Sequence, residues 1–401
     1  MITKIINISK IETIEQCTDN HLSIIGNDIL INNDIITNIS PNIEDYADNV
    51  IDANENILTP GFVDSHTHPI FANHRSFEFQ QRCDGKTYEE IAKGGGGILS
   101  SIKDLRNINE NDLFEYCLKN INYFLINGTT TIEAKSGYGL TLEDEIKSLK
   151  IIKKLNENSD LDLIPTFMGA HAFPVEYSNN KEAYVDLICT EMIPRISEEK
   201  LAEFCDVFCE DGYFSIKQTK KIFEAALKFN LKLKIHADEF VDIGAASLAA
   251  EMGAVSADHL MVTGNQGKTD LANSNTIATL LPGTTFSLGK AVYASGRDLI
   301  EKGCQVAIAT DFNAGSCVLQ SMPDIMFLSM LHCGLTITEA FKGCTYNGAK
   351  AINRDSKKGL IKEGYDADIL FWNIDNFNEV PYWFGSSRIS KVMKAGKILD
   401  I

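Results

Sequence analysis

Residues 60–68 have the sequence Pro-Gly-Phe-Val-Asp-Ser-His-Thr-His, in which an apolar run ends in two histidines, His66 and His68. The apolar residues predict a β-strand, and alternate residues of a strand point to the same face. Both imidazoles are therefore expected to leave one face side by side. This arrangement offers two neutral nitrogens to one divalent metal ion. Two ligands do not complete a site, so others have to come from elsewhere in the chain.

Three later apolar runs also end in groups that bind metals, and these groups are His236, His259 and Asp311. A metal held by His66, His68, His236 and Asp311, with one position left for water, fits a catalytic site better than a closed structural one. Each motif alone is a weak signal. Five of the eight histidines, however, stand at or just beyond the ends of apolar runs, and they are His66, His68, His171, His236 and His259. Histidines scattered through a core do not explain that placement.

Eight short apolar or β-branched runs recur along the chain, at residues 61–66, 129–135, 163–170, 206–210, 233–238, 254–259, 276–282 and 305–311. Apolar residues at helical spacing lie between most of them, as in the segment 113–124 opened by Asn111 and the segment 146–155 after a Thr141 cap. Strands that alternate with amphipathic helices predict parallel β/α units, and eight of them predict a closed (β/α)8 TIM-like barrel. Barrel sites form at the C-terminal strand ends, where the polar residues stand.

The two ends of the chain have a different pattern. Short apolar runs broken by Asn and Asp occupy residues 22–25, 28–31 and 35–39, and residues 364–371 and 391–398 also have strand character. We expect a small β-sandwich domain assembled from both termini, residues 1–58 plus 356–401, with the barrel domain inserted as residues 59–355.

Composition limits the class of partner. A net charge of −18 and a pI near 4.9 disfavour nucleic acid and anionic membrane surfaces. No signal peptide or transmembrane run is evident in the sequence, and the ten cysteines lack a framework spacing, which suits reduced thiols. We expect a cytoplasmic protein that acts on a small molecule.

Two weaker motifs have simpler explanations than a site of their own. Cys205 and Cys209 have the spacing of a redox or metal pair, but no second pair completes a site, so two buried thiols are expected. The four glycines at 94–97 precede a helix-like segment and invite comparison with a phosphate loop. No strand leads into them and no Gly-Lys-Ser follows, so we expect a flexible turn over the barrel mouth.

The sequence resembles the metal-dependent amidohydrolase superfamily in four features taken together. They are the motif Gly-Phe-Val-Asp-Ser-His-Thr-His at 61–68, His236, His259 and Asp311. Within it, the chain is similar to the imidazolonepropionase family from about residue 58 to 355, with the order of motifs kept. The matching segments are residues 71–82, Ile-Glu-Ala-Lys-Ser-Gly-Tyr-Gly at 132–139, Thr-Phe-Met-Gly-Ala-His at 166–171, Ile-His-Ala-Asp-Glu at 235–239, Ser-Ala-Asp-His at 256–259, Leu-Pro-Gly-Thr-Thr-Phe at 281–286 and Ala-Thr-Asp-Phe-Asn-Ala-Gly-Ser at 309–316.

The resemblance implies hydrolysis of 4-imidazolone-5-propanoate to N-formimidoyl-L-glutamate in histidine degradation, with one zinc or iron ion per chain and a homodimer. By match, the metal ligands are His66, His68, His236 and Asp311. The implied substrate-binding residues are Arg75, Tyr138, His171, Glu239, Asn313, Gly315 and Ser316. The sequence departs from the family at Ala314, where proline is expected, and this change is predicted to loosen the loop that holds Asn313 and Gly315.

The chemistry of amide hydrolysis suggests roles for three catalytic residues. We hypothesise that Glu239 and Asp311 accept and relay the proton of the attacking water, and that His259 stabilises the tetrahedral oxyanion. Arg75 supplies a bidentate partner for the propanoate carboxylate. Lys135 raises the alternative of a carbamylated lysine that bridges two metals, whereas the resemblance favours one metal and a structural or electrostatic lysine.

Two other functions compete with this interpretation. Another cyclic amidohydrolase, or a purine or pyrimidine deaminase of the same superfamily, has a comparable metal set. A barrel that has lost catalysis and serves in assembly or binding is the third possibility. Such a chain is expected to have lost metal ligands or acid/base groups, and this sequence retains both.

Overall fold

The computed structural model describes residues 1–400 except 17, 19, 87–89, 92 and 93. The chain begins with seven strands that belong to the terminal β sheets. They are β1 (Ile2–Ile6), β2 (Lys10–Glu15), β3 (Asn20–Ile25), β4 (Asp28–Asn32), β5 (Ile35–Ser40), β6 (Asn49–Asp52) and β7 (Ile57–Pro60). The barrel strands follow as β8 (Phe62–Asp64), β9 (Thr129–Lys135), β10 (Asp162–Ala170), β11 (Phe204–Cys209), β12 (Lys232–Ala237), β13 (Ser256–His259), β14 (Ile277–Leu280) and β15 (Val306–Ile308). The last strands are β16 (Ile369–Trp372), β17 (Ile389–Lys394) and β18 (Lys397–Ile398).

The described helices fall mainly between the barrel strands. They are α1 (Ser76–Cys83), α2 (Ile98–Asn107), α3 (Glu110–Ile126), α4 (Leu142–Asn158), α5 (Lys181–Leu187), α6 (Ile193–Glu198), α7 (Ile216–Lys228), α8 (Ala245–Met252), α9 (Asn265–Ala272), α10 (Pro282–Ser287), α11 (Gly296–Glu301), α12 (Met322–His332), α13 (Ile337–Gly343), α14 (Tyr346–Ala351) and α15 (Glu379–Tyr382). A 3-10 turn (Val175–Tyr177) and a π-helical turn (Ile188–Met192) accompany α5 and α6. Within the described part of the chain, no helix has the length and apolar character needed to cross a lipid bilayer.

The predicted barrel is confirmed. Strands β8 to β15 pair in parallel with each sequence neighbour, which gives an eight-stranded sheet in the described residues. Its two ends meet through hydrogen bonds just past the last strands. Asp311 N donates to His66 O at 3.1 Å, and His68 N donates to Phe312 O at 2.7 Å. The contact that closes the barrel therefore also brings three of the predicted metal ligands together.

The small domain built from both termini is confirmed as two sheets. One has the order β5-β4-β1-β6 and the other the order β18-β17-β16-β7-β2-β3. Their apolar faces share a buried cluster that includes Ile5, Ile29, Leu58, Ile369 and Phe371. The exact domain limits, between residues 58 and 59 and between residues 355 and 356, stay a prediction. Strand β7 spans the first of these limits.

Several predicted element limits were wrong in detail. The first barrel strand ends at Asp64, so His66 and His68 lie beyond it. Between the two histidines, Thr67 forms an isolated β-bridge with Phe312. Helix α3 is capped by Asn109 and not by Asn111, because the Asn109 side chain accepts a bond from Asp112 N at 3.0 Å. Thr141 caps α4 as predicted.

Turns divide both predicted C-terminal strands. The run at 391–398 is a hairpin, since Ala395 and Gly396 adopt φ of 48° and 77°. The run at 364–371 contributes only its last part to β16. Gly364, with φ of 87°, instead forms a turn ahead of that strand.

Candidate metal and substrate site

Four of the predicted ligand atoms converge at the C-terminal mouth of the barrel. The Nε2 atoms of His66 and His68 are 3.3 Å apart, and those of His68 and His236 are 3.2 Å apart. Asp311 Oδ1 lies 3.6 Å from Nε2 of both His66 and His68. A tetrahedral ion with bonds of about 2.0–2.1 Å separates its ligand atoms by about 3.3–3.4 Å. The donor set and its spacing therefore fit one divalent metal ion.

Hydrogen bonds from the far side of the rings fix two of these imidazoles. His66 Nδ1 is bonded to Asp258 Oδ2 at 2.7 Å, and His236 Nδ1 is bonded to Asp206 Oδ1 at 3.1 Å. A carboxylate partner keeps the proton on Nδ1, so the Nε2 lone pair faces the metal position. Burial holds the pKa of His66 and of His68 well below the usual histidine value, which keeps both rings neutral and ready to ligate.

Beneath the histidines lies a set of buried charges that we call the ionic floor, made of Glu133, Lys135, Asp206, Lys234 and Asp258. Lys135 Nζ lies 2.8 Å from Glu133 and 2.6 Å from Asp206, and 4.0 Å from Asp258. Lys234 Nζ pairs with Glu133 at 3.1 Å and donates to Ser65 O at 3.0 Å. The floor thus connects the two carboxylates that orient His66 and His236.

The surroundings of Lys135 favour a charged ammonium group. Burial alone lowers its pKa, but the carboxylates of Asp206 and Glu133 raise it above the ordinary lysine value. Carbamylation requires the neutral amine, and the three surrounding carboxylates stabilise the cation instead. The contacts therefore support the electrostatic role of Lys135 and not the bridging one.

Left-handed backbone turns direct two of the site residues into the cavity. Asp311 has φ of 56° and His259 has φ of 78°, values that non-glycine residues seldom adopt. Asp311 is further held by Thr284, whose Oγ1 donates to Asp311 Oδ2 at 2.5 Å. Burial raises the pKa of the Asp311 carboxyl to about 6, and this bond from Thr284 opposes the rise.

Glu239, a predicted proton-transfer residue, and His259, the predicted oxyanion-stabilising residue, lie together at the edge of the candidate metal site. Glu239 Oε2 lies 3.8 Å from His259 Nδ1, and both side chains are largely buried. Burial, followed by the charge of Asp311, raises the pKa of Glu239 to about 8, which suits a group that takes up and returns a proton near neutral pH. Glu210 positions the segment, because its carboxylate accepts bonds from the backbone N–H groups of residues 239, 240 and 241 at 3.0 Å.

Arg75 brings a guanidinium group into the same cavity. The residue is 6% exposed, and its Nε and Nη1 atoms are buried without a hydrogen-bond partner among the described residues. Glu78 is the nearest carboxylate, 3.8 Å from Nη1. Gly315 packs directly against the arginine, since a Cβ built there would lie 2.0 Å from Arg75 Nε. The missing side chain of Gly315 therefore leaves the space that the Arg75 guanidinium occupies.

The remaining predicted substrate residues line a cavity of about 80 Å³. His171 stacks on His68 with ring centroids 5.0 Å apart and bonds Gly137 O through Nδ1 at 3.0 Å. Asn313 Oδ1 accepts bonds from Gly315 N at 2.9 Å and from Ser316 N at 2.8 Å, so this loop is held by Asn313. The predicted residues that line the cavity are His68, Arg75, Tyr138, His171, His236, Glu239, His259, Asp311, Asn313 and Ser316. His66 lies deeper, fully buried.

Sequence reasoning missed the floor carboxylates and several cavity residues. Asp206 is a charged residue inside the otherwise apolar strand β11, and that contrast is a usable signal. Asp258 lies in β13 beside Ser256 and His259, where a charged residue does not stand out. Phe208, Tyr213, Phe240 and Lys290 also line the cavity, but no pattern in the sequence marks them. The Cys205 and Cys209 thiols are buried and free, as predicted. The Gly94–Gly97 turn leads into α2, whose first residue, Ile98, lines the cavity.

Comparison with known proteins identifies the family. Residues 57–399 match the amidohydrolase family. Imidazolonepropionase of Thermoanaerobacter pseudethanolicus is 42% identical over 387 residues, covering 96% of this chain and 92% of that protein. The chain belongs to the imidazolonepropionases of the amidohydrolase family. Members from Alkaliphilus metalliredigens and Fusobacterium nucleatum are 43% and 44% identical, covering 87% and 88% of this chain and 83% and 85% of those proteins.

Solved structures of a deaminase and of another hydrolase share the fold. A guanine deaminase from C. acetobutylicum with bound guanine aligns over 100% of both chains with a TM-score of 0.74 at 16% identity. A triazine hydrolase variant aligns over 99% of this chain and 94% of that one with a TM-score of 0.76 at 16% identity. At this identity the likeness establishes the shared architecture and nothing about the substrate.

Proposed function

We propose that the protein hydrolyses the ring amide of 4-imidazolone-5-propanoate to N-formimidoyl-L-glutamate, a step in the degradation of histidine to glutamate. The proposal rests on one observation, which is that a candidate catalytic centre and a candidate carboxylate-binding group lie in the same cavity. The candidate metal ligands and the Glu239–His259 pair lie beside a buried guanidinium, Arg75, two of whose nitrogens have no hydrogen-bond partner among the described residues. The imidazolonepropionase relatives support the same activity.

Three imidazoles and one carboxylate suit either Zn²⁺ or Fe²⁺, and we propose one such ion per chain held by His66, His68, His236 and Asp311. When bound, the ion polarises the amide carbonyl and lowers the pKa of a nearby water toward neutrality. His66, Glu133 and Asp258 also converge below this position, but the ammonium groups of Lys135 and Lys234 lie beside the two carboxylates and compete with a second cation there.

The residues of the chain then move the protons. Glu239 accepts a proton from the attacking water and returns it to the leaving ring nitrogen, and Asp311 assists as the neighbouring carboxylate. His259, neutral because burial holds its pKa well below the usual value, donates a hydrogen bond to the oxyanion that forms at the carbonyl. The opened ring leaves a carboxylate where the amide carbonyl stood.

Substrate binding is assigned to the walls of the cavity. Arg75 pairs with the propanoate carboxylate through the donors that have no partner among the described residues, and Tyr138 and His171 contact the substrate from the segments after β9 and β10. The Asn313–Ser316 loop lines the cavity beyond β15. Gly315 contributes by leaving space for the guanidinium. We also propose a homodimer in the cytoplasm, in line with the family resemblance and with nine described cysteines that are all free.

The test is turnover by the purified, metal-replete protein of three compounds, with spontaneous decay subtracted. They are 4-imidazolone-5-propanoate, its analogue with the carboxylate replaced by a neutral amide, and guanine. We expect efficient hydrolysis of the first, at least about tenfold weaker kcat/KM for the second because the Arg75 pair is lost, and no reaction with guanine. Turnover of guanine, or equal rates on acid and amide, would contradict the assignment.

A further inference from the structure

The cavity contains a second cation that the substrate-binding scheme above does not use. Lys290 lines the cavity together with Glu239 and His259, and its ammonium lies 4.5 Å from the centre of the Phe240 ring. It forms no ion pair with a carboxylate anywhere in the described part of the chain. The positive charge of Lys290 acts on Glu239, because it opposes the rise in the pKa of Glu239 that burial and Asp311 cause.

The backbone that carries Lys290 is fixed by a helix terminus. After α10, Gly289 takes φ of 64° and donates to Phe286 O at 3.0 Å, while Lys290 N donates to Thr285 O at 3.0 Å. This pair of bonds is the Schellman arrangement that ends a helix at a left-handed glycine. The lysine is therefore placed by a defined motif.

The same short helix also holds a metal ligand. Thr284, in α10, donates to Asp311 Oδ2 at 2.5 Å, and Lys290 follows the last turn of that helix. One rigid element thus positions both Asp311 and the second cation of the cavity. Arg75 lies on the other side of the place where β8 and β15 close the barrel, as the residue that precedes α1.

The product of the proposed reaction differs from the substrate by one carboxylate. Water adds to the ring carbonyl carbon, the carbon–nitrogen bond breaks, and the leaving nitrogen gains one proton of the water through Glu239 and becomes part of the formimidoyl group. The carbonyl becomes a carboxylate, and the second proton of water remains on the basic formimidoyl nitrogen or passes to solvent. Substrate therefore has one carboxylate and product has two, while the cavity has two cations, Arg75 and Lys290.

We propose that Lys290 is a second carboxylate-binding residue, which receives the carboxylate created by ring opening while Arg75 keeps the propanoate carboxylate. The proposal rests on the function proposed above. A lone ammonium over an aromatic ring at the edge of the reaction centre is well placed for this task, because a charged hydrogen bond to a carboxylate is among the stronger polar contacts a protein makes.

The experiment measures binding without turnover. The metal-replete protein is titrated by calorimetry with glutarate, a five-carbon diacid, and with glutaramate, its monoamide of the same shape and one charge fewer. We expect the unmodified protein to prefer glutarate by about tenfold or more. Lys290→Met is expected to bind both compounds equally, and Lys290→Arg is expected to restore the preference.

Lys302→Met is the matched control, since it removes the same charge from an exposed position after α11. It is expected to keep the preference for the diacid. A preference that survives in Lys290→Met, or that is missing in the unmodified protein, would overturn the role of Lys290. Because no substrate is turned over, these outcomes are independent of whether the protein hydrolyses 4-imidazolone-5-propanoate.

Discussion

The ionic floor and the substrate cavity above it differ in whether their cations are paired with carboxylates. In the floor, Lys135 lies within 2.8 Å of two carboxylates and Lys234 pairs with Glu133 at 3.1 Å. In the cavity, Arg75 has two buried guanidinium nitrogens without a hydrogen-bond partner, and Lys290 has no ion pair in the described residues. Buried polar groups are normally satisfied, so a buried unsatisfied donor needs an explanation. The two lysines of the floor are paired with carboxylates before any ligand binds, whereas the two cations of the cavity are available to an anionic ligand.

Removal of a metal ligand is expected to have the largest effect. His236→Ala deletes one of three converging imidazoles and leaves Asp206 without its histidine. We expect loss of bound metal and a fall in kcat of about 1000-fold or more, because the ion supplies the polarisation that amide hydrolysis needs. Metal analysis and steady-state kinetics check this. His332→Ala, at an exposed position, should change neither quantity.

Glu239→Gln tests the proton-transfer group without touching the metal. We expect kcat to fall by roughly 100- to 10,000-fold with the metal content unchanged. In the proposed mechanism Glu239 acts as a base in its ionised form, and its pKa is raised to about 8 by burial and Asp311. The kcat/KM of the unmodified protein should therefore rise with pH below about 8, with a midpoint above the usual 4.5. A full rate in Glu239→Gln would remove this residue from the mechanism.

Asp206→Asn weakens the floor rather than the ligand set. The amide cannot hold the His236 Nδ1 proton or neutralise Lys135 as the carboxylate does. We expect metal affinity to fall by about 10- to 100-fold, measured by competition with a chelator of known affinity. Asp211→Asn changes an exposed aspartate nearby and should leave the affinity unaltered. Equal effects of the two variants would mean that the floor does not orient the histidines.

Arg75→Lys keeps the charge of the cavity but loses the forked donor. We expect KM for 4-imidazolone-5-propanoate to rise about tenfold with a small change in kcat, because a lysine offers the carboxylate a single point of contact. Arg82→Lys is a close control, since Arg82 lines the neighbouring cavity and not the one with the metal ligands. An unchanged KM in Arg75→Lys would refute the assignment.

Ala314→Pro is expected to have the smallest effect. The loop is already held by the four hydrogen bonds of the Asn313 side chain, two from Gly315 N and Ser316 N and two to Asp311 O and Ser316 Oγ. Proline should therefore raise stability by about 0.4–1 kcal/mol through the unfolded state, with KM changed less than about threefold. Thermal unfolding and kinetics measure both. A larger fall in KM would show that alanine does loosen this loop.

The barrel and the convergence of the four candidate metal ligands could be predicted because both depend on local patterns. Apolar runs mark the strands, and His66, His68, His236 and Asp311 all lie at their C-terminal ends. The limits of β8 and β15 could not be predicted, since they depend on the bonds between residues 66–68 and 311–312 that close the barrel. The left-handed turns at His259 and Asp311 are likewise set by the closed structure and not by residue type.

The pairing of charges within the floor and the role of Lys290 could not be predicted for a different reason. The partners in the floor come from strands far apart in the chain, such as Lys135 in β9 and Asp206 in β11. Only the closed barrel places them within an ion-pair distance. Lys290 is one of many lysines, and its role depends on the turn after α10 that directs it toward the cavity.

The most direct test of the account is a metal titration of activity. Metal-free protein is given zero to two equivalents of Zn²⁺ or Fe²⁺ per chain, and turnover of 4-imidazolone-5-propanoate is measured at each step. We predict activity that rises in proportion to metal and reaches a plateau at one equivalent, because the ionic floor fills the space beneath the first ion with Lys135 and Lys234. Full activity without metal, or a rise that continues to two equivalents, would contradict it.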